Sequence, residues 1–251
     1  MNAQPVHTRF GFDVVTDEGD ALRLRGRYYY EKEVTEIIVA EVRPGETAVD
    51  VGAMIGYHTL SLARAVGPGG RVWAFEPLPS HFKVMKSNLE LNSAWNCGAV
   101  LAAASARTGS TTLHLSGRNA ADNAIFRTGE PRVQIEVKAW RLDEFFGEHC
   151  ADVSFMKVDT QGAESMVLSG AGRILENRGL RMVVEYYPKG LAQAGSSGPE
   201  LMRTIREAGF EAFEVNRQGK EPRPATEASL AARYSVAKAN HCNLFCRRPR
   251  P

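Results

Sequence analysis

The sequence has little of what marks several common classes of protein. It contains no run of 18 or more apolar residues, so we expect no membrane-spanning helix and no membrane partner. Its four cysteines among 251 residues are too few for a disulfide-rich secreted scaffold. The first residues lack the charged start and apolar stretch of a secretory signal. We therefore expect a reduced, cytoplasmic protein.

An excess of charge of one sign is also lacking. The 31 basic and 29 acidic residues give a formal net charge of +2. Non-specific binding to nucleic acid depends on many Lys and Arg contacts to phosphate, so we expect no nucleic-acid partner. A hydrophobic share of 43% in 251 residues suits one large α/β domain with a short appendage. We expect a small-molecule substrate, and a homodimer stays open.

The most informative stretch covers residues 47–66. Small and β-branched residues at 47–51 predict a buried strand, Gly52 and Gly56 bound a turn, and apolar residues then follow at helical spacing. A strand, a glycine turn and a helix N-terminus form a nucleotide-type binding site, because free N–H groups point out of the turn. Met54 replaces the middle glycine of the dinucleotide fingerprint, which argues against a pyrophosphate ligand. A tight turn without any ligand is the alternative.

A second signal follows in the next predicted strand. Residues 70–75 lead into Glu76, which lies 20 residues after Gly56. Dinucleotide-type folds place an acid at about this distance, where it accepts hydrogen bonds from ribose hydroxyls. We interpret Glu76 as such a ribose ligand. The alternative is an exposed acid that caps the following helix.

Strands and helices alternate along most of the chain. We predict helices at 33–42, 79–92, 163–175 and 199–208, and further strands at 99–104, 152–159, 180–186, 210–215 and 243–246. This alternation predicts an α/β protein with a Rossmann-like, doubly wound, seven-stranded and mostly parallel sheet. A loop at 216–239 joins the last two strands, which we expect to form an antiparallel pair at the edge.

Two regions depart from the alternation. Strands at 110–115 and 133–139 predict an inserted β-hairpin, with a polar loop at 116–131 over the ligand site and Asn119, Asp122 and Asn123 as polar candidates. Short strands are predicted at 10–15 and 21–25. We expect residues 1–43 to form a lead segment and a helix that cap the domain at 44–251.

Acidic residues end two further predicted strands. Asp159 follows the strand at 152–159, and Glu185 lies at the end of the strand at 180–186. Ligands of doubly wound sheets bind beyond the carboxyl ends of the strands, so we expect these acids near Glu76. Asp159 is the first candidate for a catalytic base, followed by His58 and Glu185. A helix-capping role is the alternative for His58.

Three strings resemble the class I S-adenosylmethionine-dependent methyltransferases and, within them, the FkbM family. They are VDVGAMIG at 49–56, AFEP at 74–77 and MKVDTQGAE at 156–164. The resemblance extends in order and spacing over about residues 31 to 247. It implies a seven-stranded sheet that binds S-adenosylmethionine. The implied cofactor-binding residues are Asp50, Gly52, Ala53, Gly56, Thr59, Glu76, Ser105 and Asp159.

The resemblance also implies how these residues act. The turn from Gly52 to Gly56 would pass beneath the methionine and ribose, Asp50 and Thr59 would hold the amino-acid end, and Ser105 would lie near the adenine. Two positions depart from the family, which usually has Asn at Met54 and Glu at Gln161. The loss of a carboxylate at Gln161 weakens the case for a divalent metal, because hard cations prefer charged oxygens, but leaves it open.

These features predict a methyltransferase that acts on a hydroxyl of a small secondary metabolite or sugar. In that reaction Asp159 would face the transferred methyl group and serve as the base. Three alternatives stay open. They are N- or C-methylation of a carrier- or peptide-bound substrate, a Rossmann protein that binds a nucleotide such as NAD without methyl chemistry, and a module that binds S-adenosylmethionine without turnover.

Overall fold

The computed structural model describes residues 4–17, 19–116, 123–127, 132–215 and 222–249. The strands are β1 (Val6–His7), β2 (Asp13–Val14), β3 (Thr47–Val51), β4 (Arg71–Phe75), β5 (Cys97–Val100), β6 (Ala103–Ala104), β7 (Gly109–Leu115), β8 (Val133–Trp140), β9 (Val153–Val158), β10 (Arg181–Tyr186), β11 (Glu211–Glu214), β12 (Arg223–Pro224) and β13 (Cys242–Arg247). The helices are α1 (Leu24–Arg27), α2 (Lys32–Glu41), α3 (Tyr57–Val66), α4 (Pro79–Leu91), α5 (Leu142–Phe146), α6 (Glu164–Ser169), α7 (Gly172–Leu175), α8 (Pro188–Gln193), α9 (Gly198–Glu207) and α10 (Glu227–Arg233), with a 3-10 helix at Gly147–Asp152.

A large mixed sheet forms the centre of the protein, with strand order β12-β11-β13-β10-β9-β3-β4-β5. The strands from β10 to β5 run parallel, as expected for a doubly wound sheet. The predicted α/β class and mostly parallel sheet are confirmed. In the part of the chain that the structure describes, the sheet has eight strands instead of seven, because the two-residue β12 pairs with β11 inside the region predicted as a loop.

The predicted antiparallel pair of the last two long strands is confirmed as β11 and β13, and only the two-residue β12 lies outside it at the edge. Within this pair β13 is the inner strand, between β10 and β11. The side chains from Cys242 to Cys246 are buried. An edge strand leaves part of itself to solvent, whereas this continuous burial is typical of a central strand.

The predicted insertion is confirmed as a small second sheet. Strands β7 and β8 form an antiparallel hairpin over seven paired positions, and β6 adds to β8 in parallel. The single strand predicted at 99–104 is therefore divided between the two sheets, with β5 in the large one and β6 in the small one. The polar candidates Asn119 and Asp122 lie outside the described residues.

Three local predictions were wrong. The strand predicted at 21–25 is replaced by α1, and α10 lies in the predicted loop at 216–239, where Thr226 and Ser229 form a reciprocal cap at its N-terminus. The helix predicted at 163–175 is broken into α6 and α7. A Cβ at Gly170 would lie 2.2 Å from the carbonyl oxygen of Ser105, so this turn fits against the neighbouring chain only as glycine.

Helices cover both faces of the large sheet. Successive residues of β10 point to opposite sides, and Val184 joins the core under α6, α7 and α9 whereas Val183 joins the core under α2 and α3. The N-terminal residues Phe12, Val14 and Leu24 share a third cluster with α3 and α4. The division into a cap at 1–43 and a domain at 44–251 stays a prediction. Within the described residues, none of the helices is long and apolar enough to span a membrane.

Candidate functional site

A cleft opens at the carboxyl ends of β3, β4 and β9. Its walls include Gly52 after β3, Glu76 after β4 and Asp159 after β9, together with His58 at the start of α3. The cavity in this cleft has a volume of about 100 Å³ and opens to solvent. Its location is the usual one for ligands of doubly wound sheets.

Close contacts with neighbouring segments require glycine at both ends of the turn after β3. Gly52 has φ 82°, and a Cβ there would lie 1.8 Å from the carbonyl oxygen of Asp159. Gly56 has φ 86°, and its Cβ would lie 2.9 Å from Cγ of Met85. Both glycines are therefore needed for close packing of β9 and α4 on the turn. Met54, between them, has φ 51° and adopts a left-handed conformation that side chains rarely occupy.

Glu76 is fixed in the wall of the cleft by backbone hydrogen bonds. Its Oε2 accepts from the N–H of Met54 and its Oε1 from the N–H of Leu78, both at 2.8 Å. Burial raises the pKa of Glu76, the two backbone bonds oppose this rise, the charge of Asp50 adds to it, and the result is about 7. Glu76 is buried, so it is not the exposed acid of the alternative, although its bond to the N–H of Leu78 does lie at the start of α4. Each oxygen keeps a second lone pair for a ligand.

Asp159 is held by two neighbours, Lys157 near the end of β9 and Gln161 in the turn that follows the strand. Its Oδ2 lies 3.2 Å from Nζ of Lys157, and its Oδ1 accepts a 3.0 Å hydrogen bond from Nε2 of Gln161. The same amide nitrogen lies 3.2 Å from both oxygens of Glu185. Gln161 has φ 57°, so the amide that connects the two acids is presented by a second left-handed residue.

Glu185 lies behind this group and is not among the residues that line the cleft. Burial raises its pKa well above the usual range, and the charges of Asp159, Glu164 and Glu31 raise it further, against the opposing charge of Lys157. The buried carboxyl therefore favours its protonated form. Glu185 therefore does not contact the cleft directly. Gln161 lines the cleft and its amide contacts Glu185.

His58 lines the cleft and makes a hydrogen bond to Glu31 that sequence reasoning missed. Its Nε2 lies 3.3 Å from Oε2 of Glu31, and Oε1 of Glu31 accepts a 2.8 Å hydrogen bond from Nδ2 of Asn243. Burial alone would raise the pKa of Glu31, but the hydrogen bond and charge of His58, with smaller effects of Lys157 and Asn243, lower it to about 2. No motif marked Glu31 or Asn243, because the three residues are distant in the chain.

Asp50 and Thr59 lie beneath the glycine turn. Thr59 Oγ1 donates a 2.6 Å hydrogen bond to Oδ2 of Asp50, and both residues are fully buried. The other oxygen, Oδ1, is buried without a hydrogen-bond partner in the described part of the chain. A buried carboxylate oxygen without a donor is costly, so it marks a place where a ligand or water donor would be favourable.

Three predicted residues remain to be placed relative to the cleft, Ala53, Ser105 and Asn123. Ala53 is buried in the turn, and Ser105 is outside the lining of the cleft, although Ala103 and Ala104 line it. The N–H of Ser105 donates to the carbonyl of Trp140 at 2.9 Å. Its proposed place near an adenine stays a prediction. Asn123, the one described member of the polar loop candidates, does line the cleft.

Carboxylates dominate the charge in and behind the cleft. Glu76 and Asp159 line it, Asp50 lies against Thr59 and Glu31 against His58 behind it, and Lys157 is the one Lys or Arg among its described lining residues. Burial opposes the charge on Lys157, but the charges of the nearby acids outweigh it and raise the pKa, so Lys157 is cationic. This balance suits a ligand with positive charge. Among the described residues, no group of three or more His, Cys, Asp or Glu side chains has the geometry to hold a metal ion.

Comparison with known protein families identifies the family of this chain. The model of the methyltransferase FkbM domain matches residues 50–212, which include the glycine turn, Glu76 and Asp159. The chain belongs to the FkbM methyltransferase family. The prediction of the family is confirmed, and residues 50–212 form its methyltransferase domain.

Two curated relatives of this FkbM methyltransferase are similar in sequence. Methyltransferase 1 of Beauveria bassiana (strain ARSEF 2860) is 30% identical over 49% of this chain and 57% of its own length. Methyltransferase sdnD of Sordaria araneosa is 24% identical over 84% of this chain and 91% of its own length. The chain thus matches little more than half the length of the first relative and most of the second.

A solved structure supports the fold. The precorrin-6y C5,15-methyltransferase from Geobacter metallireducens GS-15 superimposes with a TM-score of 0.53 over 94% of each chain, at 11% sequence identity. At this identity the likeness shows the Rossmann-like fold of the FkbM methyltransferase alone.

Proposed function

We propose that this FkbM methyltransferase transfers a methyl group from S-adenosylmethionine to a hydroxyl group of a small secondary metabolite or sugar. The observation that carries the proposal is the placement of Gly52, Glu76 and Asp159 on one cleft, at the carboxyl ends of three neighbouring parallel strands. S-adenosylmethionine, when bound, supplies an electrophilic methyl group on a sulfonium that leaves as a neutral sulfide.

The residues present fit such a ligand. Glu76 offers one open lone pair on each oxygen, which suits the two hydroxyls of a ribose. No donor from the described residues reaches the buried Oδ1 of Asp50, and an ammonium group near the turn would provide one directly or through water. Gly52, Ala53, Gly56 and Thr59 would shape and brace the turn beneath the ligand, and Ser105 would lie near its base. The surplus of carboxylates matches the positive charges of the ammonium and sulfonium.

The acceptor would bind against the remaining walls. Leu22 and Tyr30 from the N-terminal segment and Leu113 and Ile125 from the inserted region give the cleft apolar sides. Asp159, His58 and Glu185 are the candidate proton acceptors in or beside it. Such a cleft fits a small molecule with an apolar portion and one reactive polar group.

Calorimetry with S-adenosylhomocysteine and with NAD tests the nucleoside site. We expect S-adenosylhomocysteine to bind and NAD to bind far more weakly. The ionised form of Glu76 accepts two hydroxyls, whereas the protonated form loses one acceptor, so affinity should fall as the pH is lowered from 8 to 6 through the pKa of about 7. Glu76→Ala should bind at least about tenfold more weakly at pH 8, with little of this pH dependence left.

Glu90→Ala is the matched control, because Glu90 is an exposed glutamate on α4. It should leave both the affinity and its pH dependence unchanged. Tighter binding of NAD than of S-adenosylhomocysteine, or an unaltered affinity in Glu76→Ala, would contradict the proposed site.

Methyl transfer itself requires a panel of acceptors with labelled S-adenosylmethionine, assayed with and without Mg²⁺. Alcohols and sugars should accept label, and amines should not. Asp159→Asn should keep the affinity for S-adenosylhomocysteine while lowering turnover. Label on nitrogen or carbon would replace the proposed hydroxyl acceptor by the N- or C-methylation alternative.

A further inference from the structure

A basic segment of the chain forms part of the rim of the cleft. Leu22 and Tyr30 both line the cleft, and between them lie three exposed arginines, the rim arginines Arg23, Arg25 and Arg27. Each rim arginine is at most three residues from Leu22 or Tyr30, which limits the distance between its Cα and that of a wall residue to about 11 Å. Their long side chains can therefore contact a molecule that enters the cleft.

The rim arginines have no ion-pair partner in the part of the chain that the structure describes. The acids of the same segment bond its backbone instead. The carboxylate of Asp20 accepts from the N–H groups of Leu24 and Arg25, and that of Asp17 accepts from the N–H of Ala21. The ion pairs of arginine that the structure does show involve other residues, namely Arg141, Arg181, Arg203, Arg206 and Arg233. Three such guanidinium groups within five residues favour an anionic ligand.

Local contacts hold the backbone that carries the rim arginines. The N–H of Arg9 donates to the carbonyl of Tyr28 at 2.8 Å, and the guanidinium of Arg9 lies 5.2 Å from the ring centroid of Tyr29. Leu24 is fully buried in the cluster with α3 and α4. Arg23 and Tyr28, at the two ends of α1, have φ of 54° and 63°, and such strained residues persist where their surroundings hold them. A backbone held in this way reduces the entropy lost when a ligand binds.

The interior of the cleft is unsuited to an anion. Glu76 and Asp159 line it, and Lys157, the one Lys or Arg among its described lining residues, donates to Asp159 at 3.2 Å. An anionic group of the acceptor would therefore be repelled inside the cleft and attracted at the rim. This separation of charge would orient an acceptor with its neutral hydroxyl inward and its anionic group outward.

We propose that the rim arginines bind a phosphate group of the acceptor while its hydroxyl enters the cleft. Guanidinium groups bind phosphate through pairs of N–H donors, and a phosphate with close to two negative charges is matched by more than one arginine. The inference rests on the proposed function, since it narrows the hydroxyl acceptor to a phosphorylated small molecule.

Calorimetry with inorganic pyrophosphate on the whole protein at low salt tests the rim without a known acceptor. A variant that combines Arg23→Gln, Arg25→Gln and Arg27→Gln should bind pyrophosphate about tenfold or more weakly than the wild type, because several charge-assisted hydrogen bonds are lost. Its affinity for S-adenosylhomocysteine should stay within about twofold of the wild type, because exposed charges act weakly on a ligand that they do not contact.

The matched control combines Arg43→Gln, Arg71→Gln and Arg178→Gln. These arginines are also exposed, and they lie near the amino ends of β3, β4 and β10, opposite the cleft. Both triple variants remove three positive charges from a chain of net charge +2, so any effect of total charge is the same in the two. The control should bind pyrophosphate as the wild type does. Equal affinity in all three proteins, or no binding to the wild type, would overturn the proposal.

A tripeptide of glutamates with blocked ends distinguishes phosphate from an acidic protein surface, because its charge is similar to that of pyrophosphate. We expect the tripeptide to bind the wild type more weakly than pyrophosphate does. Tighter binding of the tripeptide would replace the proposed phosphate ligand by an acidic partner protein.

Turnover of labelled S-adenosylmethionine gives a second readout. Phosphorylated alcohols and sugars should be methylated with a kcat/KM about tenfold above that of their unphosphorylated counterparts, and this advantage should be lost in the rim variant and kept in the control. It should also shrink as salt is raised from about 20 to about 200 mM. Equal kcat/KM for the two kinds of acceptor in the wild type would refute the phosphate site. If S-adenosylhomocysteine fails to bind the wild type, the proposed function fails. If it binds and pyrophosphate does not, only the role of the rim arginines fails.

Discussion

Met54 and Gln161 occupy equivalent strained positions on the two turns that form the cleft. Their φ angles are 51° and 57°, a region that costs a residue with a side chain about 1–2 kcal/mol. Each of the two residues also makes hydrogen bonds at the site. The backbone N–H of Met54 donates to Glu76, and the side-chain amide of Gln161 donates to Asp159 and Glu185. Such strain is found where the surrounding structure holds the residue in place, as at binding sites.

The strain at Met54 can be measured by comparing two truncations. Met54→Gly and Met54→Ala both remove the side chain, but only glycine relieves the positive φ. We expect the glycine variant to be more stable than the alanine variant by about 1 kcal/mol in urea unfolding.

The control pair lies on an ordinary stretch of helix. Lys83 is exposed in α4, where glycine should be less stable than alanine by about 1 kcal/mol, the opposite sign. If alanine is also the more stable residue at position 54, the strain is not real.

Helix α4 attaches the N-terminal segment to the glycine turn through two amides. Asn88 accepts from the N–H of Val15 at 2.8 Å and donates to the carbonyls of Val15 and Ile55 at 3.0 and 2.8 Å. One turn later, Asn92 bonds the N–H and the carbonyl of Asp13. The two asparagine side chains bond both the N–H and the carbonyl of β2 and its neighbour, as an adjacent strand would. Helix α4 therefore supports the N-terminal segment and, through the bond to Ile55, the glycine turn.

Asn88→Ala tests this attachment. The substitution leaves several backbone groups without partners in a buried place, so the free energy of unfolding should fall by about 2–4 kcal/mol. Affinity for S-adenosylhomocysteine should also fall, because Ile55 belongs to the turn. Ser87→Ala on the exposed side of the same helix loses only a bond to the carbonyl of Lys83 and should change stability by less than about 0.5 kcal/mol. Equal effects of the two changes would argue against a supporting role for α4.

At the scale of the whole molecule, the last strand joins the two parts of the sheet. Strand β13 pairs with β10 over six positions and with β11 over four, and no direct pairing of β10 with β11 is present among the described strands. The same strand carries Asn243 to Glu31, so completion of the sheet and positioning of His58 depend on one C-terminal element.

Leu244→Ala should therefore weaken the whole domain. Leu244 is fully buried in β13, and its truncation should cost about 2–5 kcal/mol while the thermal transition stays single. Leu91→Ala, at a leucine that is 46% exposed on α4, should cost less than about 1 kcal/mol. Two separate transitions in Leu244→Ala would show that the sheet on the β11 side unfolds independently.

The sequence by itself determined the class of fold, the family and the acids at the strand ends. Alternating segments with periods of 2 and 3.6 residues are local signals, and the glycine turn, Glu76 and Asp159 each follow directly from a strand visible in the chain. The carboxyl ends of parallel strands meet at one edge, so their placement together follows from the fold class alone.

Only the tertiary structure decided the contacts between distant segments. The carbonyl of Asp159 that excludes a side chain at Gly52, the place of β13 inside the sheet and the line from Asn243 through Glu31 to His58 all join residues far apart in the chain. Local periodicity reports which face of an element is buried, but it does not specify which partner covers that face. The partner depends on the free energy of the complete packed chain, which no short stretch of sequence contains.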